Sequence, residues 1–181
     1  MTFEGPWIQG VIARKPDSET QLAAFGLIFS LSILIETPVI MLLATSSALS
    51  RNRQAYRVLW RFMMGINIIV TIIALLMAFT PLLDFYLGTL LNIPSQIIEA
   101  TRPGMQVMVL WSSFIGYRRF HQGILIRNNN TRYVGYGTLI RVIISGGIAI
   151  GLGAITQIAG ALIGALSLIL AVLAEALYTY F

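Results

Sequence analysis

Residues 22–57 read LAAFGLIFSLSILIETPVIMLLATSSALSRNRQAYR. Residues 22–49 carry one charge, Glu36, and residues 50–57 then carry Arg51, Arg53 and Arg57. About 20 consecutive apolar residues suffice to cross a bilayer. The stretch therefore reads as a membrane span that ends in a short basic loop. The same reading places further spans at about 58–83, 104–126, 134–155 and 158–180. Residues 1–13 are apolar but amount to half a span. Residues 84–103, DFYLGTLLNIPSQIIEATRP, are too broken to cross and read as an outer loop with a short interfacial helix. A turn near Thr156 and Gln157 predicts a tight antiparallel hairpin of the last two helices.

Sorting the charges by these spans divides them. Arg51, Arg53, Arg57, Arg61, Arg118, Arg119, Arg127, Arg132 and Arg141, nine of the twelve basic residues, fall on one side. Arg14, Lys15 and Arg102 fall on the other, together with Asp17, Glu19, Asp84 and Glu99. Short loops rich in Lys and Arg stay in the cytoplasm. The expected topology puts the N-terminus at the outer face, the basic loops and C-terminus inside, and the protein in the cell inner (plasma) membrane. The chain reads as a single membrane domain, 1–181: all-α, with five complete transmembrane helices and a partial first helix.

Composition supports this class. The chain is 57% hydrophobic and 10% charged, against roughly 25% charged in an average soluble domain. A net charge of +5 would suggest nucleic acid in a soluble protein. Here the arginines read as topology determinants that meet anionic headgroups, and no nucleic-acid partner is expected. With no cysteine and one histidine, His121, neither disulfides nor a thiolate or His-rich metal site is expected. No phosphate loop, catalytic carboxylate pair or activated nucleophile is visible, so no enzyme activity is expected.

Five groups of residues stand out. Glu36 lies in mid-span beside Thr37 and Pro38. A carboxylate at bilayer depth must face a cavity, pair with a cation or be protonated, which makes it a candidate proton or substrate site. Pro38 frees a backbone carbonyl that Thr37 could satisfy. Glu4, in TFEGPW, is a second candidate for substrate or proton binding, expected in the outer half of the bundle. Glu175, near the inner end of the last helix, is expected to snorkel to the headgroups. Arg118, Arg119 and Gln122 suit either an anion-attracting inner vestibule or membrane anchoring, and Arg141 either the inner interface or an acid partner. Gly147 with Gly151, and Gly160 with Gly164, form GxxxG pairs expected to serve helix packing.

Two segments carry a family resemblance. Residues 116–141, GYRRFHQGILIRNNNTRYVGYGTLIR, resemble the loop between the fourth and fifth helices of the multidrug and toxic compound extrusion (MATE) transporters. That loop reads R-G-x-L followed by D-T-R, and Gln122, Gly123, Leu125, Asn130, Thr131 and Arg132 occupy the matching positions. Residues 46–61, SSALSRNRQAYRVLWR, resemble the family's second-to-third loop. The wider superfamily includes ankylosis-type exporters and lipid flippases.

The resemblance implies one six-helix lobe of a two-lobed transporter that exports a small organic solute by alternating access, coupled to H+ or Na+ and without a bound cofactor. The family's proton-linked aspartate in the first helix has no aspartate counterpart, and Glu4 and Glu36 are the acids nearest that role. On this reading the chain corresponds to an N-terminal lobe that lacks most of one helix. It needs a second lobe or a homodimer partner in the lipid bilayer. A non-transporting membrane subunit or truncated product, and a lipid-carrier flippase-like protein, are the alternatives.

Overall fold

The computed structural model describes residues 4–180, which are helical with no strand among them. The helices are α1 (Glu4–Ile12), α2 (Ser18–Ile40), α3 (Leu42–Leu49), α4 (Arg53–Phe79), the single turn α5 (Leu82–Asp84), α6 (Ser95–Val107), α7 (Trp111–Arg127), α8 (Thr131–Ile155) and α9 (Gly160–Tyr178). Residues 1–3 of the predicted partial first helix lie outside the described residues.

Four stretches are long and apolar enough to cross a membrane: Ser18–Leu49, Arg53–Phe79, Thr131–Ile155 and Gly160–Tyr178. Their outward surfaces are apolar as well. α4 exposes Ile68, Ile69, Ile72, Ile73, Leu75 and Leu76, and α8 exposes Leu139, Ile143, Ile150 and Ile155. Contiguous apolar surface on this scale suits contact with lipid or another protein rather than water.

Local chemistry sets the helix limits. The Asn52 side chain caps α4 by accepting from the Ala55 amide at 2.7 Å. Pro81 stands just beyond the end of α4. α2 runs through Pro38 and breaks only at Met41. Thr37 Oγ1 donates to the Ile33 carbonyl at 3.1 Å, so it does not satisfy the Leu34 carbonyl that Pro38 leaves free. Asn129 adopts φ 58° in the 128–130 loop, a conformation that asparagine tolerates.

The predicted span 104–126 is not one regular helix. α6 begins at Ser95, passes through Pro103, and joins α7 by a 3₁₀ turn at Met108–Leu110. Nor is Ser95–Val107 only interfacial. It packs against α2, α4 and α9, and an added Cβ on its Gly104 would strike the Ile28 side chain. The physical reason is polarity: α6 and α7 hold Arg102, Arg118 and Gln122, each of which meets a carboxylate of another element.

α9 forms the centre. It buries twelve of its nineteen residues, whereas α8 buries four of its twenty-five, Gly137, Arg141, Ser145 and Ala149, one turn apart on a single stripe. α1 runs parallel to α8. Glu4 meets Arg141, Val11 meets Gly153, and Lys15 Nζ donates to the Thr156 carbonyl at 2.5 Å. Glu4 therefore lies inside the bundle and Lys15 at the end where α8 and α9 connect. The connection 156–159 is four residues rather than two. At the other end, Arg127 Nη1 donates to the carbonyls of Ser47 and Ala48, at 3.0 and 3.1 Å. The 50–52 and 128–130 loops thus share one Arg-rich end.

Candidate functional site

Four helices bring charged side chains into the apolar interior. α7 supplies Arg118 and Gln122, four residues apart on one face. α9 supplies Glu175, fully buried. Arg118 Nη1 donates to Glu175 Oε2, and Gln122 Nε2 donates to Glu175 Oε1 at 2.9 Å. α8 supplies Arg141, whose Nε lies 2.7 Å from Glu4 Oε1 and 3.5 Å from Glu175 Oε2. The Arg141–Glu4 contact is an ion pair by distance, but its angle is not that of a hydrogen bond, and both atoms lack hydrogen-bond partners.

Two cations and two anions therefore neutralise one another across α1, α7, α8 and α9. Burying such groups costs several kcal/mol each unless paired, and here the pairing is close. Gly137, one turn before Arg141, makes room for Glu175: an added Cβ would lie 3.3 Å from its Cγ. Glu4 also borders a cavity of about 60 Å³ shared with Gln9, Phe25, Phe29 and Leu168.

Glu36 occupies a separate position on α2. It is fully buried and its Oε2 accepts from Trp111 Nε1 at 2.7 Å, while Oε1 has no hydrogen-bond partner. Near the α4–α7 contact, Thr71 and Ser113 hydroxyls lie 2.5 Å apart, and Asn67 Nδ2 donates to the Ser113 carbonyl at 3.3 Å.

The sequence-predicted residues therefore separate. Glu4 and Arg141 join one network, and Glu36 stands apart. Arg118 and Gln122 neither line an open vestibule nor anchor the membrane surface; both are buried against Glu175. Arg119 is half-buried, with an Nε that lacks a hydrogen-bond partner. Glu175 does not snorkel, because arginine and glutamine donors hold it inside. Arg141 and Glu175 are equidistant in sequence from Ile158, at the hairpin, so opposite charges facing across antiparallel helices were the signal for this pair.

The glycine pairs also separate. Added Cβ atoms on Gly160 and Gly164 would strike Ile12 and the Phe25 ring, so both sit at close helix contacts. Gly147 and Gly151 face open space within the described residues, because α8 turns that face away from α9. Gly123 lets α7 approach α3 closely, since an added Cβ there would strike Ser46 Oγ and the Leu43 carbonyl.

No protein family matches this chain, and neither a curated protein nor a solved structure does.

Proposed function

We propose that this chain is a MATE-like lobe of a secondary transporter that exports a small organic solute by ion-coupled alternating access. On this reading α6 and α7 together complete a fifth crossing, the Arg-rich end faces the cytoplasm, and the membrane is the cell's inner (plasma) membrane. The observation that carries the proposal is Glu36, a buried carboxylate on a proline-bearing helix, held by one indole and with one oxygen unpartnered. Intramembrane carboxylates of this kind mark proton and ion pathways. Its neighbour network, Glu4–Arg141–Glu175–Arg118, joins α1 to the α8–α9 hairpin and supplies a charge-neutral element that a proton on Glu4 would unbalance. Arg119, half-buried with an unpartnered Nε, is the cation that an inner vestibule would present. One lobe does not enclose a central cavity, so a second lobe or second copy completes the path.

The test is solute-dependent proton flux in proteoliposomes, read with an internal pH dye against a panel of organic cations. Wild type is expected to show flux and Glu36→Gln to lose it, with membrane insertion unchanged. Flux at the wild-type level in Glu36→Gln removes Glu36 from the mechanism. Absence of both proton-coupled and sodium-coupled flux from wild type, as monomer and as dimer, overturns transport by this chain or by two copies of it and favours a non-transporting membrane subunit.

A further inference from the structure

α4 and α9 do not pack on one another. α7 forms the floor between them, leaving a lateral groove of about 660 Å³. Its walls include Met64, Ile68 and Ile72 of α4 and Leu173 and Leu177 of α9, with Phe114 and Tyr117 below. The volume is that of a ligand site rather than of surface roughness. Two of its hydroxyls are already engaged: Thr71 Oγ1 donates to the Asn67 carbonyl at 2.7 Å and meets Ser113 Oγ. Asn67 Oδ1 is turned toward Gly116 of α7, where an added Cβ would strike it. The groove therefore suits an aliphatic chain and offers little to a polar solute.

The Arg-rich end of the groove is different. Met64, Ile68 and Ile72 continue, at helical spacing, the stripe of α4 that carries Arg57 and Arg61. Tyr56, Arg57, Trp60 and Arg61 line a second depression of about 220 Å³, one turn beyond Met64. Arg57 and Arg61 are exposed, and no ion pair reaches either among the described residues. The Tyr56 ring lies 5.6 Å from that of Phe120, and the Tyr117 ring 4.2 Å from that of His121, so aromatic rings mark the level between the two depressions. Aromatic rings of this kind favour the membrane–water boundary, and arginine forks match phosphate.

We propose that this surface is a binding site for one anionic phospholipid, its phosphate on Arg57 and Arg61 and an acyl chain in the α4–α7–α9 groove. The inference rests on the membrane reading and does not depend on transport. Charge complementarity selects the occupant: two unpaired cations stand at the mouth of an apolar slot whose Thr71 and Ser113 hydroxyls are bonded to one another.

The experiment is native mass spectrometry of the detergent-solubilised chain with phosphatidylglycerol or phosphatidylcholine of identical chains. Wild type is expected to retain one phosphatidylglycerol with roughly tenfold preference. The double variant Arg57→Gln/Arg61→Gln is expected to lose that preference. Arg51→Gln/Arg132→Gln, which removes equal exposed charge elsewhere, is expected to keep it. Ile72→Trp, filling the groove, is expected to weaken retention of both lipids. Equal loss in the two double variants, or no preference in wild type, overturns the proposal. Full competition by glycerol phosphate would assign the arginines to a free phosphate and also overturn it. So would a disulfide-linked dimer of Ile72→Cys in this cysteine-free chain, which would place a protein partner in the groove.

Discussion

Glu175 and Glu36 are both fully buried, and the bundle holds them in opposite ways. Glu175 accepts from Arg118 and Gln122 and has Arg141 at 3.5 Å. Glu36 receives one bond, from the Trp111 indole, and forms no ion pair among the described residues. The contrast separates an acid held by side chains of two other helices from one held by a single indole. A carboxylate that ties α9 to both α7 and α8 is expensive to disturb. A carboxylate with a spare oxygen can gain a proton without breaking its only bond.

The largest effect should come from Glu175→Ala. It leaves Arg118 without its carboxylate and removes one of two from Arg141, and should cost about 3–5 kcal/mol of stability. Thermal unfolding in detergent would register this, and a loss below about 1 kcal/mol would mean that water reaches the cluster. The next test is a double-mutant cycle of Arg118→Met and Glu175→Leu. The pair together should be less destabilising than the sum of the two single changes, with a coupling of about 1–3 kcal/mol. Additive changes would show that the two groups do not act as a pair.

A smaller contrast lies within the hairpin. Gly164→Ala forces a methyl against Phe25 and should cost about 1–3 kcal/mol. Gly147→Ala meets nothing and should be neutral, or stabilising by up to about 1 kcal/mol through helix propensity. If Gly147→Ala is instead the costlier change, the open face of α8 is covered by another molecule in the membrane. Smallest of all in stability is Glu36→Gln, expected within about 1 kcal/mol because the amide oxygen still accepts from Trp111. Its effect belongs to proton flux, and a large stability loss would move Glu36 into the same class as Glu175.

Much of the framework was legible in the chain. Segments 22–49, 58–83, 134–155 and 158–180 correspond to the four stretches long and apolar enough to cross. Apolar runs are read directly from residue type, so a local signal suffices. Residues 104–126 were less legible because their polar content is compensated by partners far away in sequence. Arg118 meets a residue 57 positions on, and Trp111 meets one 75 positions back. Glu4 and Glu36 were visible as acids in apolar surroundings, but their depth and partners were not. The GxxxG spacing marked Gly147 and Gly164 alike, since spacing records which face carries the small residues and not which helix lies opposite.

The amino-acid sequence by itself determined that the chain is helical, that four helices have membrane length and apolarity, and that most of its arginines lie toward one end of those helices. These follow from side-chain hydrophobicity, run length and charge position, which need no partner. Only the tertiary structure decided that Glu175, rather than the headgroups, receives Arg118. It also decided that Glu4 reaches inward to Arg141, that α9 is central, and that a groove separates α4 from α9. Each of those depends on which faces of distant helices meet. For Arg118 and Glu175 buried charge makes the choice strict: either ion alone in the apolar interior is so costly that α7 and α9 pack to bring the pair together.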